Sequence, residues 1–590
     1  MQKINELVDL ALQKLNFPIV EYSVTHPKIE SHGDYSVNVA MILAKQLGQN
    51  PRELAQRIVG EICKDPIFVK NFEKIEVAGA GFINFWLKHE FLLAELKKAR
   101  EEGYGTTEIF KGQKTYVEFT DPNPFKEFHI GHLMSNTIGE ALCRILEANG
   151  AIVKRANYQG DVGLHVAKAV WGLKQKLSAE GKTMTVLQGQ TLKERIGYLG
   201  QAYAHGATEY ENNEASKAEI NLINKAIYDG LATKEQSELM TLYHAGRDWS
   251  LVYFEEIYKR LGTKFEEYFF ESEAGAEGLK VIEKALQGGI LTVGDQGAVI
   301  FEGEKHGLHT RVFRNKLGLP TYEGKELALS MIKNERWHYD KSYIVTANEI
   351  NEYFKVLLTV LKLVYPELGA KTVHLSHGIM KLTTGKMSSR TGKVVTGEGL
   401  LDELKDVVLK KMGEREVKNK EQVADAVAVA ALKYSVLKQA LGGDIVYDPE
   451  KMTNMEGNTG PFVQYTFARA SSILRKYAQE NQGEILQRTV LCKEEVGLLK
   501  WVYRYPEVVA EAGVTQAPHL VATYVFELAS RFNSFYQSCR VFVEDPTSQE
   551  GSAGARNGAV NQFRYALTES VAKVIKSGLN LLGIKAPEEM

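Results

Sequence analysis

The run Thr115-Tyr116-Val117-Glu118-Phe119-Thr120 has the composition of a buried strand. It stops at Asp121-Pro122-Asn123-Pro124, where two prolines end regular pairing. Beyond His132, apolar residues recur at Ile138, Ala141, Leu142, Ile145 and Leu146. That spacing predicts a helix, closed by Asn149-Gly150, before a second strand starts at Ile152-Val153. Strand, helix and strand in this order form the first crossover of a parallel sheet. Earlier, Phe82-Ile83-Asn84-Phe85-Trp86-Leu87 alternates as a strand, with Phe82 and Asn84 on one face. The span of about 170–300 is polar and largely helical and reads as an insertion. Strand character returns near Val299-Ile300-Phe301 and Tyr343-Ile344-Val345, and from about 400 onward the chain reads as helices.

These patterns predict an α/β protein with four regions: 1–108, 109–375 with its insertion, 376–440 and 441–590. A chain of 590 residues is too long for one core, which agrees with several domains. The composition, 44% hydrophobic and 25% charged, is that of a globular protein. A net charge of -2 gives no global basic footprint, although a local Lys/Arg patch suffices for nucleic acid. The four cysteines, Cys63, Cys143, Cys492 and Cys539, are scattered in sequence and show no zinc-ligand spacing. No signal peptide or membrane span is read, so a cytoplasmic protein is expected.

The candidate chemistry sits in two short segments. His129-Ile130-Gly131-His132 falls between the first strand and its helix, beyond the carboxyl end of the sheet, where ligands bind in such folds. A helix start adds positive potential from its amides, and Gly131 leaves room for a nucleotide against the backbone. Lys386-Met387-Ser388-Ser389-Arg390 lies in a Gly-rich loop whose basic residues can follow moving phosphates. Alone, the first segment is equally well a helix cap with two surface histidines, and the second is better explained as a solvated charged turn. Together, in this order, they suit a site that activates a carboxylate with ATP, where preorganised donors stabilise phosphate charge.

The two segments resemble the H-I-G-H and K-M-S-K-S signatures of class I aminoacyl-tRNA synthetases, and more narrowly those of arginyl-tRNA synthetases. The resemblance runs nearly end to end. It includes Val117-Glu118-Phe119-Thr120-Asp121-Pro122-Asn123, Asn157-Tyr158-Gln159-Gly160-Asp161, Gly318-Leu319-Pro320-Thr321-Tyr322 and Gly457-Asn458-Thr459-Gly460-Pro461. It implies a Rossmann-like catalytic domain, an N-terminal α+β domain that touches the tRNA corner, and a C-terminal helical bundle for the anticodon. It implies ATP, L-arginine and arginine tRNA as partners, with Mg²⁺ accompanying the ATP. A monomer is expected. No zinc and no metal-ligating residue are expected. Activation is expected to require bound tRNA.

The resemblance assigns Glu118, Asn123, His132, Tyr322, Glu326 and Asn348 to arginine. Glu326 stands where the family has aspartate, and Asn348 where it often has glutamine. A guanidinium independently calls for a carboxylate with neutral acceptors beside it. ATP is assigned to His129, Gly131, His132, Lys386, Met387 and Ser388. The second lysine of K-M-S-K-S is here Ser389. Family members with that departure use a lysine just before the histidines, which is Lys126. Lys126, His129, His132 and Lys386 are therefore the expected catalytic set. Phe82 and Asn84 are expected to stack on and read an unpaired tRNA base, a use that suits a flat ring beside an amide. Tyr465 and Met590 are expected at the tRNA as well. Competing readings are a synthetase for another amino acid, a catalytically inactive tRNA-binding relative, and a small nucleotidylyltransferase. The last predicts a much shorter chain, and a cysteine-activating enzyme would show zinc ligands.

Overall fold

The computed structural model describes residues 1–382, 396–414, 416–478, 491–539, 541–544 and 558–590. They form two compact units. One comprises Met1–Thr106, Thr466–Val509 and Tyr524–Ser577; the other comprises Thr107–Tyr465, Ala510–Thr523 and Gly578–Met590. The chain beyond 441 is thus shared between the units.

The larger unit is built on a five-stranded parallel sheet. Its spatial order is Thr372–His377, Lys341–Ala347, Lys114–Glu118, Ile152–Gln159 and Glu267–Phe270. Numbered along the chain, that order is 5-4-1-2-3, the doubly wound arrangement whose ligand crevice opens where the order reverses. Here the crevice lies between the carboxyl ends of the first strand, at Glu118, and the fourth, at Ala347. The Rossmann-like reading therefore holds. The insertion is shorter than the pattern suggested. Helices Leu164–Glu180 to Glu238–Leu261 form it, but Glu267–Phe270 within 170–300 is a strand of the main sheet. Only Phe269 of those four residues is buried, so the edge strand carries no alternation to betray it.

The helix Ile130–Ala148 follows the first strand and packs its apolar face through Leu133, Met134, Ile138, Ala141, Leu142, Ile145 and Leu146. Asn149 caps it, and Gly150 takes the left-handed φ of 90° that turns the chain toward the second strand. Ser135 on this helix receives the Thr120 N–H at 3.0 Å and donates to the Val345 carbonyl at 2.8 Å, which ties the helix to the ends of strands one and four.

In the other unit, an antiparallel sheet runs in the order Val24–Thr25, Tyr35–Val37, Phe82–Leu87 and Phe72–Ala78. Helices from the N-terminal segment accompany it, as an α+β domain requires. Helices Lys493–Val514 and Pro518–Ser538 contribute their residues 493–509 and 524–538 to the same unit. Cys492 and Cys539, 47 positions apart, come together here with sulfur atoms 3.1 Å from each other. With Glu494 they are the one group of potential metal ligands among the described residues. The sequence treats these cysteines as scattered because only the folded helix ends bring them together.

Candidate active site

Residues Thr120 to His129 connect the first strand to its helix and carry most of the expected chemistry. His129 is the N-cap. Its Nδ1 accepts the Gly131 N–H at 3.1 Å, and His132 Nδ1 accepts the His129 N–H at 3.2 Å, a reciprocal capping box made from two imidazoles. Both Nδ1 atoms are thereby acceptors, so each neutral ring carries its proton on Nε2 and can donate from there. The rings stack with centroids 3.6 Å apart. Gly131 makes this possible: a Cβ there would lie 3.0 Å from the His129 ring. His129 keeps exposed surface at the helix tip, and partial desolvation by the surrounding protein, with repulsion from Lys126, lowers its pKa to about 4. His132 is buried and pushed well below the usual value by burial, then by His129 and Lys126. At neutral pH the pair is uncharged, and the formal charge at this end comes from Lys126. Burial lowers the lysine's own pKa, with Glu271 opposing.

Beside it lies a second, acidic cluster. Glu118, at the end of strand one, accepts from Lys333 at 2.7 Å, and both side chains are 2% exposed. Lys325 pairs with Glu271 at 2.6 Å, again buried. Tyr322 turns its hydroxyl to Glu271 although much of the residue is open to solvent. A Cβ on Gly160 would approach Asn123 Oδ1 to 2.2 Å and Glu271 Oε1 to 3.0 Å, so both polar atoms crowd one backbone position. Burial alone would lower Lys325 and Lys333, but Glu271 and Glu118 hold both above the ordinary lysine value. Glu326 and Asp121 are raised well above the carboxylate range, first by burial and then by the charge of Glu118. Four carboxyl groups thus face two ammonium groups, two of the carboxyls paired with the lysines and the other two favoured in their protonated forms. Asn348 stands half-buried just past the carboxyl end of strand four.

Three family models together match most of the chain. The family model "tRNA synthetases class I (R), catalytic domain" matches residues 96–448. "Arginyl tRNA synthetase N terminal domain" matches 2–87, and "DALR anticodon binding domain" matches 463–590. The arginine–tRNA ligase of Clostridium acetobutylicum is 30% identical, over 100% of this chain and 99% of its own length. That of Fusobacterium nucleatum is also 30% identical, over 95% and 94%.

The chain belongs to the arginyl-tRNA synthetases.

Solved structures concur. Thermus thermophilus arginyl-tRNA synthetase superposes with a TM-score of 0.79 at 25% identity, covering 100% of both chains. The Plasmodium falciparum enzyme shares the fold, with a TM-score of 0.78 at 21% identity. Within that family fold, Lys126, His129 and His132 stand together, as do Glu118, Asn123, Tyr322 and Glu326. Lys386, Met387, Ser388 and Ser389 lie outside the described residues. The chain returns at Thr396, which makes an isolated bridge to His129, while the Gly397 N–H donates to the Phe128 carbonyl at 2.7 Å.

The expected tRNA residues are less uniform. Phe82 is 40% exposed, whereas Asn84 is 4% exposed and its Oδ1 is buried without a hydrogen-bond partner. Tyr465 is exposed on the helix Gly460–Tyr477. Met590, expected at the tRNA, is half-buried against Val408, Met412, Ala424 and Val427. Its apolar side chain serves that small core. Sequence reasoning missed Lys325, Lys333, Glu271 and His165. Lys333 was within reach: it lies seven positions after Glu326 on the same helix, so it shares that face. His165, bonded through Nε2 to the Gly160 carbonyl at 2.8 Å, is lowered to about 3 by burial and by Lys126. It had no local signal.

Proposed function

We propose that the two clusters divide the work of arginine–tRNA ligation. The chain is an arginine–tRNA ligase that joins L-arginine to its tRNA with ATP. Attack of the arginine carboxylate on the α-phosphate gives arginyl-adenylate and pyrophosphate; the terminal ribose of tRNA then takes the arginyl group and AMP leaves. Neutral His129 and His132 donate from Nε2 to phosphate oxygens whose charge is redistributed in the displacement, and Lys126 supplies the cation that Ser389 cannot. The buried carboxylates of Glu118, Glu271 and Glu326, with Asn123 and Tyr322, receive the substrate's guanidinium and amino groups. The excess of buried carboxyl groups over lysines is the observation that favours arginine over other amino acids. Magnesium arrives with the triphosphate. The thiol-containing group in the other unit has the wrong donors for it. The exposed ring of Phe82 contacts a tRNA base. The enzyme acts as a cytoplasmic monomer.

Purified protein given ATP, tRNA and single amino acids in parallel should charge arginine alone. Efficient charging of any other amino acid would sink the specificity. Exchange of pyrophosphate into ATP should need tRNA as well as arginine.

The pocket also predicts a proton signature. Glu326 and Asp121 hold protons to unusually high pH in the empty site. An entering guanidinium favours their ionised forms, so binding releases protons, and affinity rises with pH across their range. For one proton the rise is about tenfold per pH unit. Calorimetry in buffers of different ionisation enthalpy measures this. Proton uptake on binding, or no release at any pH above the ordinary carboxylate range, would remove these carboxyls from the arginine site.

A further inference from the structure

The turn that presents Lys126 is strained, and the helical insertion holds it. Thr120, Asp121 and Phe125 all take left-handed φ values, 80°, 46° and 67°. Residues other than glycine do this only where neighbours over-determine the backbone. At Phe125 the neighbours lie on the helix Glu238–Leu261. Ser250 accepts the Phe125 N–H at 2.9 Å. Tyr243 stacks on the buried Phe125 ring with centroids 6.2 Å apart. A Cβ on Gly246 would lie 2.2 Å from that ring, so only glycine admits it. Positions 243, 246 and 250 share one helix face.

The next residue is Lys126, and a second insertion helix meets it. On Leu192–Asn212, the Tyr203 ring centroid lies 5.4 Å from the Lys126 ammonium. One turn earlier, a Cβ on Gly200 would lie 3.3 Å from the Glu127 carboxylate, so the helix passes close to this segment. The charged or titratable groups felt by Lys126 are Glu271, Lys168, His129, His132 and His165.

We propose that Tyr203 is a positioning residue for adenylate formation: its ring holds the Lys126 ammonium at the phosphate end of the site without occupying its N–H donors. A carboxylate in that place would pair with the ammonium and compete with the triphosphate. An aromatic face attracts the cation and leaves three donors for phosphate oxygens. The proposal rests on the reading of Lys126 as the phosphate-binding lysine.

The test uses full-length protein with tRNA and follows single-turnover adenylate formation. Tyr203→Phe keeps the ring and should stay within about twofold of the parent, while Tyr203→Leu should lose about 5–30-fold in rate with the arginine KM unchanged. In a Lys126→Ala background, Tyr203→Leu should cost nothing further. The same loss with and without Lys126, or equal harm from Phe and Leu, would overturn the proposal. A near-normal rate for Lys126→Ala alone would instead overturn the underlying reading of that lysine. Tyr203→Met, a flexible side chain without a ring, repeats the measurement if the leucine variant does not fold.

Discussion

Lys126→Ala should lower the rate of tRNA-dependent arginine activation by at least ~10²-fold, about 2.7 kcal/mol of transition-state stabilisation. The size follows from where charge is available. At neutral pH His129 and His132 are uncharged, because burial and the neighbouring Lys126 keep their pKa values low, with His129 adding to the effect on His132. They can donate hydrogen bonds but carry no net charge. Ser389 replaces the family's second loop lysine. On the proposed division of work, Lys126 is then the cation beside the histidines that stabilises charge in the displacement. Lys126→Arg should recover part of the loss, since a guanidinium keeps the charge but changes its reach. ATP–pyrophosphate exchange with saturating tRNA reads both variants. A near-normal alanine variant would remove Lys126 from the mechanism.

What the sequence made legible was local. The helix after His129 announced itself through its 3.6-residue period, and its start through the two imidazoles, because capping and periodicity act over a few residues. The first strand was legible because prolines stop it. The parallel crossover followed from those two elements, and with it the place of the site. The carboxylate excess was not legible. Glu118, Glu271 and Glu326 are dispersed along the chain, and only the order of strands one, three and four, with their helices, gathers them. The edge strand Glu267–Phe270 was hidden in a helical, polar span because one buried residue makes no pattern. The partners of known motif residues were partly within reach: extending the Tyr322–Glu326 face by two turns arrives at Lys333.

That lysine makes the larger stability prediction. Glu118 and Lys333 bond at 2.7 Å with each side chain only 2% exposed. Such a pair adds little over a well-packed apolar pair, but breaking it strands a buried charge. Lys333→Met should therefore destabilise the larger unit by about 3–5 kcal/mol, and Glu118→Gln in the same chain should return part of it. The pH sign is opposite to that of the histidines. Lys333 is raised in the folded state, so its contribution is complete below the ordinary lysine value of 10.5 and fades as pH climbs through its folded pKa. The variant also tests the arginine site. If guanidinium enters beside Glu118, it supplies the cation that methionine removed. Arginine should then raise the melting temperature of Lys333→Met by more than it raises that of the parent protein, because the ligand now neutralises an unpaired carboxylate in the folded state alone. Equal shifts in the two proteins would place the substrate's cation away from Glu118 and leave the buried pair a purely structural one.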